Sequence, residues 1–97
     1  RVLFRSMLSE GFSRLPRGRR YDLVCANILA RPLRRLSRDL AAAVEPGGAL
    51  ILSGLLAAQA ADIVAAYRAQ NLALRARIGI DGWRTLVMER PRRKRAG

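Results

Sequence analysis

Two polar interruptions fall at the ends of apolar runs. In "YDLVCANILARP", beginning at Tyr21, an apolar run meets the amide of Asn27 before the chain resumes as Ile28, Leu29 and Ala30. In "ALILSGLL", beginning at Ala49, a similar run meets Ser53 and Gly54 before Leu55. A carboxamide offers a carbonyl acceptor and an NH2 donor pair without ionising, so Asn27 suits holding a polar ligand or orienting an amine. Each interruption also has a purely structural use. Asparagine at a strand end satisfies loop backbone, and a Ser-Gly pair turns a strand into a helix.

Other chemistry is excluded by what the chain lacks. It has no histidine and one cysteine, so a Ser-His triad, a histidine metal cluster and a thiolate zinc site are all out of reach. "PGG" at Pro46 lacks the lysine and hydroxyl of a phosphate loop and closes a helix rather than opening one. The seven acids are scattered, with no close pair for glycosidase-type work. Trp83 stands without aromatic neighbours beside a turn, so it reads as core or rim packing rather than as a base-stacking platform.

The elements that must position the two interruptions follow from periodicity. "DLVCANI" is a continuous apolar run of strand length, the pattern of a central strand in a parallel sheet with helices on both faces. Pro32 suits a first helical turn, and Leu33, Leu36, Leu40 and Val44 form one stripe, predicting a helix over 32–44 that "EPGG" ends. A second buried strand starts at Ala49. Ala60, Ile63, Val64 and Tyr67 then predict a helix over 57–70, with Asn71 as its left-handed cap.

Strand, helix, strand, helix with short connections implies two parallel strands in one sheet. From Leu72 the period changes to two: Leu72, Leu74, Ala76 and Ile78 alternate with Ala73, Arg75 and Arg77, and Asp81-Gly82 favours a tight hairpin. Trp83 through Met88 returns as the partner strand, completing an antiparallel hairpin at the end of the sheet. Ligands of open α/β sheets bind beyond the carboxyl ends of the parallel strands, which is where Asn27 and Ser53-Gly54 fall.

With 97 residues, 51% of them hydrophobic and 27% charged, the chain is one small globular domain at most. Its net charge of +12 is concentrated at the ends. Residues 1–20 carry six arginines against Glu10, residues 90–97 carry five basic groups and no acid, and the middle carries eight arginines against six acids. Eighteen of the 19 basic residues are arginine, a bias that fits a GC-rich genome better than a selected RNA surface. Residues 1–20 are expected to be a poorly defined loop or a truncated upstream segment, 21–90 the folded part of the chain, and 91–97 a basic disordered tail. "RVLFRS" starts without Met and resembles a translated sequencing adapter, so the natural protein is expected to continue upstream. No run approaches the ~18 apolar residues of a membrane span and no secretory leader is evident, so a cytoplasmic location without membrane contact is expected.

"YDLVCANILARPL", "AVEPGGALILSGLLAAQA", "AAY" and the terminal "DGW" hairpin together resemble the C-terminal half of the ribosomal protein L eleven methyltransferase (PrmA) family, over residues 21 to 90. The resemblance implies an α/β fold, the C-terminal part of a Rossmann-like class I methyltransferase sheet. It further implies transfer of a methyl group from S-adenosylmethionine to amino groups of a ribosomal protein. "NILA" is similar to the Asn/Asp-Pro-Pro-Tyr motif of amino methyltransferases, and Asn27 is the matching residue.

On that resemblance Asn27, with Ile28 and Leu29, is expected to be catalytic, Asn27 also to touch the cofactor, and Ala30, Ser53, Gly54 and Leu55 to line the substrate cleft. No metal is implied. The family's glycine-rich loop after a first strand and the acidic end of a second are missing, so the isolated chain is expected to be inactive. The rival readings are a basic module that touches RNA weakly through its Arg-rich ends, and a different amino methyltransferase acting on protein glutamine or a small amine.

Overall fold

The computed structural model describes residues 1–7 and 18–92. Eight elements occur in chain order: β1 (Val2–Met7), β2 (Tyr21–Ile28), α1 (Ala30–Arg35), α2 (Ser37–Ala42), β3 (Val44–Leu56), α3 (Ala57–Arg68), β4 (Ala73–Ile80) and β5 (Trp83–Glu89). The strands form one sheet in the order β1-β2-β3-β5-β4. β1, β2 and β3 are parallel, and β5 and β4 join as an antiparallel hairpin whose inner strand β5 pairs with β3.

The core lies on one face of this sheet. Val24, Ala26 and Ile28 of β2, Leu50, Leu52 and Leu55 of β3, and Leu86 and Met88 of β5 are buried with Leu33, Leu40, Ile63, Val64 and Tyr67 from the helices. Removing each such leucine or isoleucine from water contributes roughly 1.5–3 kcal/mol, enough together to order a small domain. The alternate residues are less protected. Leu23, Cys25, Ala49, Ile51 and Val87 are only half-buried, and Val2, Ile78, Ile80 and Trp83 are exposed. Among the described residues, α1, α2 and α3 all pack against the same side.

Three differences from expectation follow from the tertiary pairing. The segment 1–20, expected as a poorly defined loop or a truncated upstream segment, contains β1: its backbone finds a ladder along the free edge of β2, a tertiary pairing that no periodicity announces. The sheet thus has three parallel strands rather than two. The helix expected over 32–44 is divided at Leu36 (φ −90°, ψ 5°). There the carbonyl of Leu33, which an unbroken helix would offer to Ser37, accepts the buried hydroxyl of Tyr67 at 2.7 Å. Burial pushes the Tyr67 phenol well above its ordinary pKa, so it stays a donor at any ordinary pH. The third difference is a register shift between Leu74 and Ala76. It sends Leu74 to the helix side with Met88, but Ala76 and Ile78 to the open side with Val87 and Thr85.

The expectations for α3, its cap and the hairpin turn match. Ala60, Ile63, Val64 and Tyr67 are the buried stripe of α3, Asn71 has φ 66°, and Asp81 and Gly82 have φ 47° and 81°, the two positive values a type I′ hairpin needs. Strand β3 starts at Val44, ahead of the expected Ala49, since Tyr21 donates to the Ala43 carbonyl and Gly47 and Arg90 join β3 to the end of β5. Of the expected 91–97 tail, residues 93–97 lie outside the described residues, as do 8–17 of the first segment.

Candidate active site

β2 and β3 run parallel in a register that pairs Asn27 with Ser53, so the two interruptions lie side by side at the carboxyl rim of the sheet. Their contact is closer than register alone requires. A Cβ added to Gly54 would lie 2.7 Å from Asn27 Oδ1, nearer than real contacts allow. Gly54 also has φ 83°, a conformation that residues with side chains seldom adopt. Glycine is thus required at position 54 twice over: once for the positive-φ backbone at the register shift between Leu52 and Leu55 of β3, and once to let the Asn27 amide settle against it.

The segments that leave each strand build the rim. After Ile28, the Leu29 carbonyl accepts from the Leu33 N–H to begin α1. After Leu55, Gln59 Oε1 reaches back to the Leu56 N–H at 3.0 Å, the returning half of a capping box, and begins α3. The hairpin tip joins the same rim, since the Ala57 N–H donates to the Gly82 carbonyl at 2.8 Å.

The residues singled out from sequence do not all share one environment. Asn27, Leu29 and Gly54 are exposed at the rim, and Ala30 and Ser53 are half-buried beside them. Ile28 and Leu55 are fully buried toward the helices, so they offer the rim their backbone and not their side chains. The apolar wall expected from Ile28, Leu29 and Ala30 is therefore made by Leu29, 58% exposed, and Ala30. Trp83, read from sequence as core or rim packing, is 54% exposed and pairs with the exposed Leu56 on the open face. Sequence reasoning did not identify Leu56 as its partner. The usable signal was the tight Asp81-Gly82 turn, which returns Trp83 to the end of β3.

Chemically, the rim offers the Asn27 carboxamide, the half-buried Ser53 beside it, backbone groups at two strand ends and an apolar lip. It can accept hydrogen bonds from an amine and shed water around it. No group of three metal-ligating side chains occurs among the described residues, and none of the described helices is long and apolar enough to cross a membrane.

The family model of ribosomal protein L11 methyltransferase (PrmA) matches residues 5–91. Over 71 residues the chain is 51% identical to the ribosomal protein L11 methyltransferase of Caulobacter sp. (strain K31), a match that covers 73% of this chain and 25% of that relative. It is 49% identical over 71 residues to the protein of the same name from Rhizobium etli (strain ATCC 51251), again 73% of this chain and 24% of the relative. The crystal structure of ribosomal protein L11 methylase from Lactobacillus delbrueckii subsp. bulgaricus superposes with a TM-score of 0.69 at 28% identity, over 74% of this chain and 38% of that one. The antibiotic-resistance methyltransferase Kmr shares the fold alone, with a TM-score of 0.58 at 24% identity over 78% of this chain and 54% of that one. The chain spans about a quarter of the length of the curated relatives it matches, and it belongs to the ribosomal protein L11 methyltransferase family.

Proposed function

We propose that this chain is the acceptor side of an S-adenosylmethionine-dependent methyltransferase that works in the cytoplasm on amino groups of a ribosomal protein. The observation that carries the reading is the seating of Asn27 Oδ1 against Gly54 at the shared rim of β2 and β3. A nucleophilic amine must arrive neutral, with its lone pair aimed at the carbon it attacks and its N–H bonds held by acceptors. The Asn27 carbonyl and the backbone carbonyls at the β2 end supply such acceptors. The lip of Leu29 and Ala30 makes an ammonium costly by desolvation, favouring the neutral form.

Within this reading S-adenosylmethionine supplies an electrophilic methyl group on a sulfonium centre. The rim fits the reacting end of such a molecule, with the neutral Asn27 carbonyl as its acceptor. Its nucleoside end calls for an acidic strand end, and the described parallel strands end at Met7, Ile28 and Leu56. The isolated chain is therefore expected to bind S-adenosylmethionine weakly or not at all. Micromolar affinity by calorimetry would overturn that expectation.

The activity is tested in a chimera, with residues 21–91 replacing the matching segment of the Caulobacter relative and ribosomal protein L11 as acceptor. Mass spectrometry should show methylation by the chimera and a loss of about a hundredfold with Asn27→Ala at retained fold, the scale of removing one oriented hydrogen-bond partner. Unchanged methylation would remove Asn27 from the mechanism.

A further inference from the structure

A groove of about 250 Å3 runs between α1 and α3, floored by Ala30, Ala58 and Ile63. Arg31 and Arg34 line one wall and Asp62 the other. It starts where both rim segments end, since Ala30 opens α1 three residues after Asn27 and Ala58 lies four residues after Gly54. Its walls are fixed relative to each other by the Tyr67 hydroxyl of α3 bonded to the Leu33 carbonyl of α1. The ion pairs among the described residues are those of Asp22 with the amino terminus and of Arg75 with Glu89. Neither involves the groove, so Arg31 and Arg34 face it without a described acid in salt-bridge range. Arg35 and Arg38 continue the exposed positive surface along α1 and α2.

We infer that this groove docks an acidic, extended segment of the acceptor polypeptide. Two guanidiniums at helical spacing on one wall match carboxylates two residues apart on an extended chain, and the apolar floor accepts the intervening small side chains. Asp62 sets the register by repelling a carboxylate placed on its side. The same Asp62 disfavours a continuous phosphate backbone, and the groove presents no aromatic ring for a base to stack on. A protein segment therefore suits it better than RNA. That the segment belongs to the methyl acceptor rests on the proposed function, whereas occupancy of the groove does not.

The test is a titration of the 15N-labelled 97-residue chain, monitored by amide chemical shifts, with an acetylated peptide carrying glutamate at alternate positions. Localised shifts separate the groove from unspecific attraction to the basic ends. Saturable shifts at residues 31–35 and 58–62 are expected, weakened about tenfold by the double change Arg31→Glu and Arg34→Glu and left unchanged by Arg75→Glu. Asp62→Asn reads the other wall, should tighten binding about threefold, and keeps the proposal falsifiable if the double variant fails to fold. Shifts confined to the termini, or an affinity indifferent to Asp62→Asn, overturn the inference. So does a single-stranded RNA that displaces the peptide from the same amides at lower concentration with a steeper salt dependence. Binding at the groove alongside unchanged methylation by Asn27→Ala would sink the catalytic reading and spare this one; the reverse pattern would do the opposite.

Discussion

The two faces of the sheet carry similar residues and meet opposite fates. On the helix side Leu50, Leu52, Leu86 and Met88 are sealed from water. On the other side Ile51 and Val87, one position along the same strands, are half-buried, while Ile78 and Ile80 are exposed. Hydrophobicity thus states that a strand is to be covered, whereas the number of helices in the described chain decides which side receives cover.

Changes on the two faces should therefore differ sharply in cost. Leu52→Ala empties space in the sealed layer and should destabilise the chain by about 2–5 kcal/mol, read as a lowered urea midpoint. A loss under about half a kilocalorie would show that the helix side is not tightly packed. At the rim where the faces meet, Gly54→Ala should cost about 1–3 kcal/mol, because the new methyl group combines backbone strain with a collision against Asn27. Displacement of the Asn27 side-chain amide resonance would separate that collision from strain alone.

Tyr67→Phe tests the seam within the helical layer. Loss of its hydrogen bond to Leu33 should cost about 1–2 kcal/mol, and it should restore continuous helical exchange protection across Leu36. Protection still broken at that residue would assign the discontinuity to something other than the tyrosine. Ile80→Ser on the open face should leave the urea midpoint within about 0.5 kcal/mol while lowering any concentration-dependent self-association seen by sedimentation. A large stability loss there would mean that the open face is packed after all.

The parts legible in the sequence were those whose signal is local. The stripe of α3, the positive-φ positions Asn71, Asp81 and Gly82, and the pairing of two strand ends at Asn27 and Ser53 all follow from spacing and turn chemistry. The parts that were not legible depend on distant partners. β1 exists through the edge of β2, the division of α1 from α2 coincides with a hydroxyl that arrives from residue 67, and the bulge at Arg75 reverses the facing of Ile78. At the candidate site, the strand ends were readable as positions. The inward burial of Ile28 and Leu55 and the outward placement of Trp83 required the register.

The notch at residue 54 ties two positions into a single heritable unit. Since the carboxamide fills the volume a side chain would claim, drift at either residue is penalised unless the other changes in step. A shorter residue at 27 would open space without relieving the positive-φ backbone at 54, and a larger one at 54 would evict the amide. Selection on this pair should therefore appear as joint fixation at an exposed strand rim.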